Sequence, residues 1–278
     1  LHQAYVGLGW KPVGNLAVGV NASFIWGTYT HAMAQTFTEG ETSSSAYSGL
    51  NSEHSAHLKT YKIDLGAQYP IRLNPENWLT VGVTVGLGHK IKSDAVLSRY
   101  TSVGDSTQVT AKSPFDLPYT YGGGLAWQHK NTLLVAADYK YENWGDCRTP
   151  HSSTESGELT YFGAKGDYKN RSRFAVGAQY TPDPTDKRYV KRMQYRVGAN
   201  YSTPYLRVNG IDGPCDMTLS AGLGLPVSNK YNNRSMINFN LQWLRRKPSS
   251  ASLITENYFM VNVGFTFNEN WFMKFKIQ

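Results

Sequence analysis

The sequence predicts an all-β fold, a transmembrane antiparallel β-barrel of the outer membrane with about eleven strands in this chain. Three observations predict it. The first is a persistent two-residue beat. Over 258–267, Phe259, Val261, Val263, Phe265 and Phe267 share one side, and Tyr258, Met260, Asn262, Gly264 and Thr266 share the other. Successive strand side chains point to opposite faces, so such a run has one apolar and one polar or small face. The second is composition: 19 Tyr and 7 Trp suit interfacial girdles, and 26 Gly suit crowded inward positions. The third is that connections alternate mostly short and long, as periplasmic turns and extracellular loops do. No apolar run reaches the length of a spanning helix. A barrel needs none, because each strand crosses with about 10 residues, every second one apolar. A soluble sandwich would hide its apolar faces against each other and leave the aromatic belts without a role.

The elements follow in order. A first strand over 3–12 points Ala4, Val6, Leu8 and Trp10 outward, and Gly14 with Asn15 turns the chain tightly. The second strand carries Leu16, Val18, Val20, Ala22, Phe24 and Trp26, and the third Tyr61, Ile63, Leu65, Ala67, Tyr69 and Ile71. Beyond a turn at 74–77 comes Leu79, Val81, Val83, Val85 and Leu87. The fifth strand shows Tyr121, Leu125 and Trp127, and the sixth, past Asn131, has Leu133, Val135, Ala137, Tyr139 and Tyr141. The seventh holds Phe174, Val176, Ala178 and Tyr180, and the eighth Tyr195, Val197, Ala199 and Tyr201. Met217, Leu219, Ala221, Leu223 and Leu225 mark the ninth, Ile237, Phe239, Leu241 and Trp243 the tenth, and 258–267 is the eleventh. Short turns near 14–15, 74–77, 131, 182–193, 229–234 and 268–270 are assigned to the periplasm. Long loops near 40–55, 101–116, 145–170, 203–215 and 246–256 are assigned to the outside.

Residues 1–267 are expected to be barrel strands, and 268–278 a periplasmic tail or short extra strand. The chain starts inside an alternating run, as a mature protein rarely does, so an upstream portion is expected. A closed bacterial barrel with both ends in the periplasm needs an even strand number, so an odd number of upstream strands is expected, three giving fourteen.

The polar half of the beat would line the lumen. Its charged members are Lys62, Asp64, Asp138, Lys140, Glu142 and Arg196, set among amides and many glycines. Mixed signs make a poor ion filter. Two readings stay open for these six residues, a plug or substrate contact and ordinary charge pairing along a wet wall.

Enzymatic signals are weak. His54 and His57 lie close together in an expected loop without a third metal ligand, and Gly122, Gly123 and Gly124 sit on a strand with no following helix to bind phosphate. Neither catalytic residues, nor a cofactor, nor a metal site is expected. The net charge of +8 includes Lys187, Arg188, Lys191 and Arg192 in one turn and Arg245, Arg246 and Lys247 near another. These read as solvated turns or as attraction to lipid phosphates or an acidic partner surface. No nucleic-acid motif is present. A disulfide between Cys147 and Cys215 is left open: both fall at one end of the barrel, but two intervening strands separate them, so only flexible loops could bring them together.

Several segments resemble the FadL/TodX family of outer-membrane transport proteins. They are Gly7-Leu8-Gly9-Trp10-Lys11-Pro12 followed by Leu16-Ala17-Val18-Gly19, then Tyr195-Arg196-Val197-Gly198-Ala199, Tyr205-Leu206-Arg207-Val208-Asn209-Gly210, Asn233-Arg234-Ser235, and 262–272. The resemblance covers essentially the whole chain, through strand patterns rather than chemistry. It implies a fourteen-stranded barrel, an N-terminal hatch in the lumen, lateral release through a kinked early strand, and passive uptake of small hydrophobic compounds such as fatty acids or aromatics. The hatch and kinked strand have no counterpart here, so no ligand residue carries over. The expected setting is the outer membrane of a Gram-negative bacterium, against lipid and lipopolysaccharide. The partner is either a hydrophobic small molecule or, if the barrel does not transport, the other subunits of an outer-membrane protein complex in which it serves structure or assembly.

Overall fold

The computed structural model describes residues 1–36, 49–102, 104–155, 157–208, 210–227, 235–250 and 254–267. The turns expected at 229–234 and 268–270 and the tail at 268–278 lie outside the described residues.

Among the described residues there are nineteen strands: β1 (His2–Val13), β2 (Leu16–Thr36), β3 (Gly49–Asn74), β4 (Asn77–Gly86), β5 (His89–Ile91), β6 (Ala95–Thr101), β7 (Ser106–Ala111), β8 (Phe115–Leu117), β9 (Thr120–His129), β10 (Leu133–Glu142), β11 (Thr149–Glu155), β12 (Glu158–Ala164), β13 (Arg171–Tyr180), β14 (Gln194–Ser202), β15 (Arg207–Val208), β16 (Ile211–Asp212), β17 (Cys215–Val227), β18 (Ser235–Lys247) and β19 (Glu256–Thr266). A one-turn α-helix, α1, spans Tyr189–Arg192, and a 3-10 turn spans Trp144–Asp146. The wall is one antiparallel sheet in the order β1-β2-β3-β4-β9-β10-β13-β14-β17-β18-β19. These are the eleven strands that the alternation predicts, joined as consecutive hairpins of an outer-membrane barrel.

Cross-strand pairing keeps the two faces in phase. Trp243, Leu241, Phe239 and Ile237 stand opposite Phe259, Val261, Val263 and Phe265. Paired residues share a side of the sheet, so this register makes one continuous apolar face. That face is bare: Phe259 is 82% exposed, Val261 70%, Val197 62% and Phe174 52%. The buried apolar core among the described residues reduces to Ala56, Ile91, Ala95, Leu97, Ala111, Cys147 and Tyr161. A water-soluble chain cannot leave so large an apolar surface in solvent, whereas a bilayer covers it.

The loop assignments at one end need correction. Residues 49–55 belong to β3, 101–116 contains β7 and β8, 145–170 contains the β11–β12 hairpin, and 203–215 contains β15 and β16. His54 and His57 accordingly lie on a strand. β2 and β3 run for 21 and 26 residues, about twice what a membrane crossing of ~10 residues requires. In their outer halves the strict apolar beat of a spanning strand breaks up, as in Thr28-Tyr29-Thr30-His31, so that beat stops before the strand does. β3 pairs with β4 over Asp64–Asn74 and with β6 over Leu50–Ala56. Between these stretches the chain bends through Gly88, where a Cβ would fall 2.5 Å from the Tyr119 nitrogen and 2.7 Å from the Leu117 oxygen. Only glycine permits that approach.

Candidate functional site: the polar face and its cap

On β3 the polar face runs through Gln68, Gly66, Asp64, Lys62 and Thr60 and continues, in the same parity, to Leu58, Ala56 and His54. The lower part is wet and ionic. Lys62 pairs with Asp64, two residues along its own strand, and Lys140 Nζ lies 2.8 Å from Glu142 Oε1. Arg196 donates from Nε to Gln179 Oε1 at 2.9 Å and from Nη1 to Asn238 Oδ1 at 2.8 Å, and from Nη2 to Gln194. Asp138 stands opposite Gly124 and Ala175. The six charged residues selected by parity therefore share one face, spread over β3, β10 and β14. The structure gives Lys62, Asp64, Lys140, Glu142 and Arg196 local partners on their own wall rather than gathering the six into one cluster.

The upper part is dry, and it is the feature that alternation did not reveal. β6 and β7 extend the face, with Leu97 opposite His54 and Val109, and Ala95 opposite Ala56 and Ala111. The β11–β12 hairpin, inserted between β10 and β13, reaches across and lays Tyr161 and Leu159 on this surface. Ala56, Ala95, Leu97, Ala111 and Tyr161 form the buried cluster, with Leu58, Val109, Phe115 and Leu159 packed around it. Among the described residues, this two-layered packing lies on the outer extension of that face, at its long-loop end.

Polar ties fix this cap. Asp116 on β8 accepts three hydrogen bonds from Arg148: from its backbone N–H at 3.0 Å, Nε at 2.8 Å and Nη2 at 2.6 Å. Burial raises the carboxyl's pKa, but these bonds outweigh it and hold Asp116 below the usual carboxylate range. Asp167 accepts from the Thr149 hydroxyl at 2.6 Å and lies 2.7 Å from His151 Nε2. Gly163 meets Pro114 so closely that a Cβ would stand 2.9 Å from the proline Cα. Trp144, Tyr168 and Tyr205 form an aromatic cluster with centroids 5.3–6.2 Å apart. Burial, then neighbouring Tyr205 and Cys147, push Tyr168 up to about 12. Cys147 and Cys215 are both free thiols. Cys147 is pushed up to about 11 by burial and by Asp116, so it is unreactive as a nucleophile.

His54 sits at the seam between β3 and β12, its Nδ1 3.1 Å from the Tyr161 hydroxyl. Burial, then His31 and Arg99, hold it below the ordinary histidine value. The folded cap therefore binds fewer protons than the unfolded one. Its full stability is present above the unfolded pKa of about 6.5 and declines as pH falls through it toward the lower folded value. Amide exchange over 159–163 should slow between pH 7.5 and 5.5 by less than the fall in hydroxide catalysis alone requires, because the cap opens more easily. His54→Gln should flatten that response, and an unchanged response in the variant would remove His54 as its source.

Among the described residues, no three His, Cys, Asp or Glu side chains are placed to hold a metal ion. The site offers a polar inner wall, a folded apolar cover and ion pairs that lock the cover down. The signals that could have revealed the cap were the β-rich runs Ala95-Val96-Leu97 and Thr107-Gln108-Val109-Thr110, lying inside an assumed loop.

The solved structures similar to this chain include the toluene transporter TbuX of Ralstonia pickettii. It is 16% identical with a TM-score of 0.58, over 95% of this chain and 67% of that one. The Pseudomonas putida toluene transporter TodX is 15% identical with a TM-score of 0.55, over 94% and 67%. A Pseudomonas aeruginosa FadL homologue is 12% identical with a TM-score of 0.57, over 88% and 59%. The chain thus spans about two thirds or less of their length. At these identities the likeness establishes a FadL-type barrel fold and nothing about cargo. No curated protein matches. A family model described as BamG matches residues 1–278, and the FadL resemblance of the strand motifs is therefore a likeness of fold: the chain belongs to the BamG family.

Proposed function

We propose that this chain is a non-enzymatic, non-transporting structural or assembly barrel subunit of an outer-membrane protein complex in a Gram-negative bacterium. The observation that carries the reading is the cap. A packed apolar layer lies on β3, β6 and β7 where they extend the polar face at the long-loop end, and it is tied down by Asp116 and Arg148. A rigid cover of this kind suits a docking platform better than a gate. The polar face that continues from it along the wall supports the same reading. Lys62, Asp64, Asp138, Lys140, Glu142 and Arg196 offer a hydrocarbon no continuous apolar lane. The BamG match over the whole chain points to assembly. Phe259, Val261, Val263, Phe265 and Phe267 would face lipid and lipopolysaccharide.

The second reading is passive uptake of small hydrophobic compounds, favoured by the fold shared with structures described as toluene transporters. Gentle solubilisation of the native membrane followed by affinity capture separates the two. The assembly reading expects a stoichiometric outer-membrane complex, and liposomes bearing the chain that take up toluene and oleate no faster than empty ones. Saturable uptake by the purified chain, with no retained subunit, would overturn it.

A further inference from the structure

The connection between β13 and β14 differs from the other turns. Residues 182–193 place four cations, Lys187, Arg188, Lys191 and Arg192, beside two carboxylates, Asp183 and Asp186. Its shape is fixed internally. Asp183 Oδ1 accepts from the Thr185 N–H at 2.8 Å and the Thr185 hydroxyl at 2.7 Å, Asp186 Oδ1 accepts the Arg188 N–H at 2.8 Å, and Lys191 Nζ lies 2.9 Å from Asp186. Lys187 and Arg192 have no carboxylate partner among the described residues.

The direction of this turn is informative. Tyr195 stands opposite Tyr180 and Leu223, so it belongs to the apolar face. Its hydroxyl donates to the Val190 carbonyl oxygen at 3.1 Å. The segment is thereby folded back toward the apolar face, not across the polar one. Val190 is left 62% exposed and Tyr189 44%, with the Arg192 guanidinium 5.5 Å above the Tyr189 ring. An exposed ring and valine beside unpaired cations, next to a girdle tyrosine, match the depth profile of a bilayer edge. Rings and aliphatic groups enter the acyl boundary while Lys and Arg tips reach phosphate.

We propose that residues 187–192 form an interfacial foot that binds the headgroups of anionic phospholipids at the short-connection end of the barrel. It rests on the bilayer covering the apolar face, which an arginine placed at Val261 tests separately. An acidic protein is the other conceivable occupant, but it gives no reason for the turn to lean toward the lipid-facing side.

The experiment is native mass spectrometry of the full chain in mild detergent with equimolar phosphatidylglycerol and phosphatidylcholine. Retention of phosphatidylglycerol should exceed that of phosphatidylcholine at least tenfold, on the basis of roughly fivefold per surface cation. Neutralising the foot (K187Q/R188Q/K191Q/R192Q) should abolish the preference, whereas neutralising two cations of the cap (K112Q/K165Q) should leave it. Heat-modifiable gel migration reports folding. If the fourfold variant misfolds, the exposed single change Lys187→Glu serves instead, with a severalfold loss expected. Equal preference in wild type and foot variant would overturn the proposal. So would loss of a bound acidic protein from the variant with its lipid preference unchanged.

Discussion

Leu97→Ala should loosen the cap by about 2–5 kcal/mol while leaving the wall intact. Leu97 is 0% exposed and lies at the centre of the buried cluster, between His54 on one side and Val109 on the other. Its removal opens a cavity that two flat layers cannot easily collapse into, because β6 and β7 are held by their ladder and β12 by Gly163 against Pro114. The cap has few other buried apolar groups to share the loss. Hydrogen exchange should accelerate over 95–111 and 158–164, and a protease should cut within 149–164, while heat-modifiable migration of the wall persists. A variant whose hairpin stays as protected as wild type would show that the ion pairs, not the apolar cluster, hold the cap.

Val261→Arg should destabilise the membrane-inserted protein by about 2–4 kcal/mol, with Asn262→Arg costing far less. The two residues are neighbours at the middle of β19 and differ in parity alone. Val261 stands with Leu241 on the apolar face, and Asn262 with Asn240 on the polar face. An arginine among acyl chains must be desolvated or deform the bilayer, whereas one on the polar face keeps water and amide partners. Chemical unfolding in lipid vesicles measures the difference. Equal costs, or a larger cost at Asn262, would mean that the apolar face is not turned to lipid.

The wall was legible because a spanning strand must satisfy two solvents at once. That requirement writes itself as strict alternation, and Phe239, Leu241 and Trp243 opposite Val263, Val261 and Phe259 are its register. Parity likewise selected Lys62, Asp64, Asp138, Lys140, Glu142 and Arg196 as one face, although not how they pair. Arg196 finds amides on three strands, and pairing of that kind depends on register between segments far apart in sequence. The cap was not legible. Ser106-Thr107-Gln108-Val109-Thr110-Ala111 contributes only Val109 and Ala111 to the cluster, and β12 only Leu159 and Tyr161. Each strand there buries two residues or fewer, too short a pattern to rise above a polar loop, and its meaning appears only when four distant segments meet. The fold likeness carried in the strand motifs had the same limit, since alternation records a bilayer and not a cargo.

The reach of the β11–β12 hairpin also has a meaning in time. Tyr161 closes on His54, 107 residues earlier in the chain. The surface that receives it is laid down by β3, β6 and β7, while the hairpin itself is anchored by β10 and β13. Contacts of such separation form late, after the intervening ladder has already shortened the loop to be closed. The cap should therefore set after the ladder from β3 to β10, and its protection reports that this part of the wall has been zipped together. A chain arrested before that moment would carry residues 149–164 as an unshielded, adhesive hairpin.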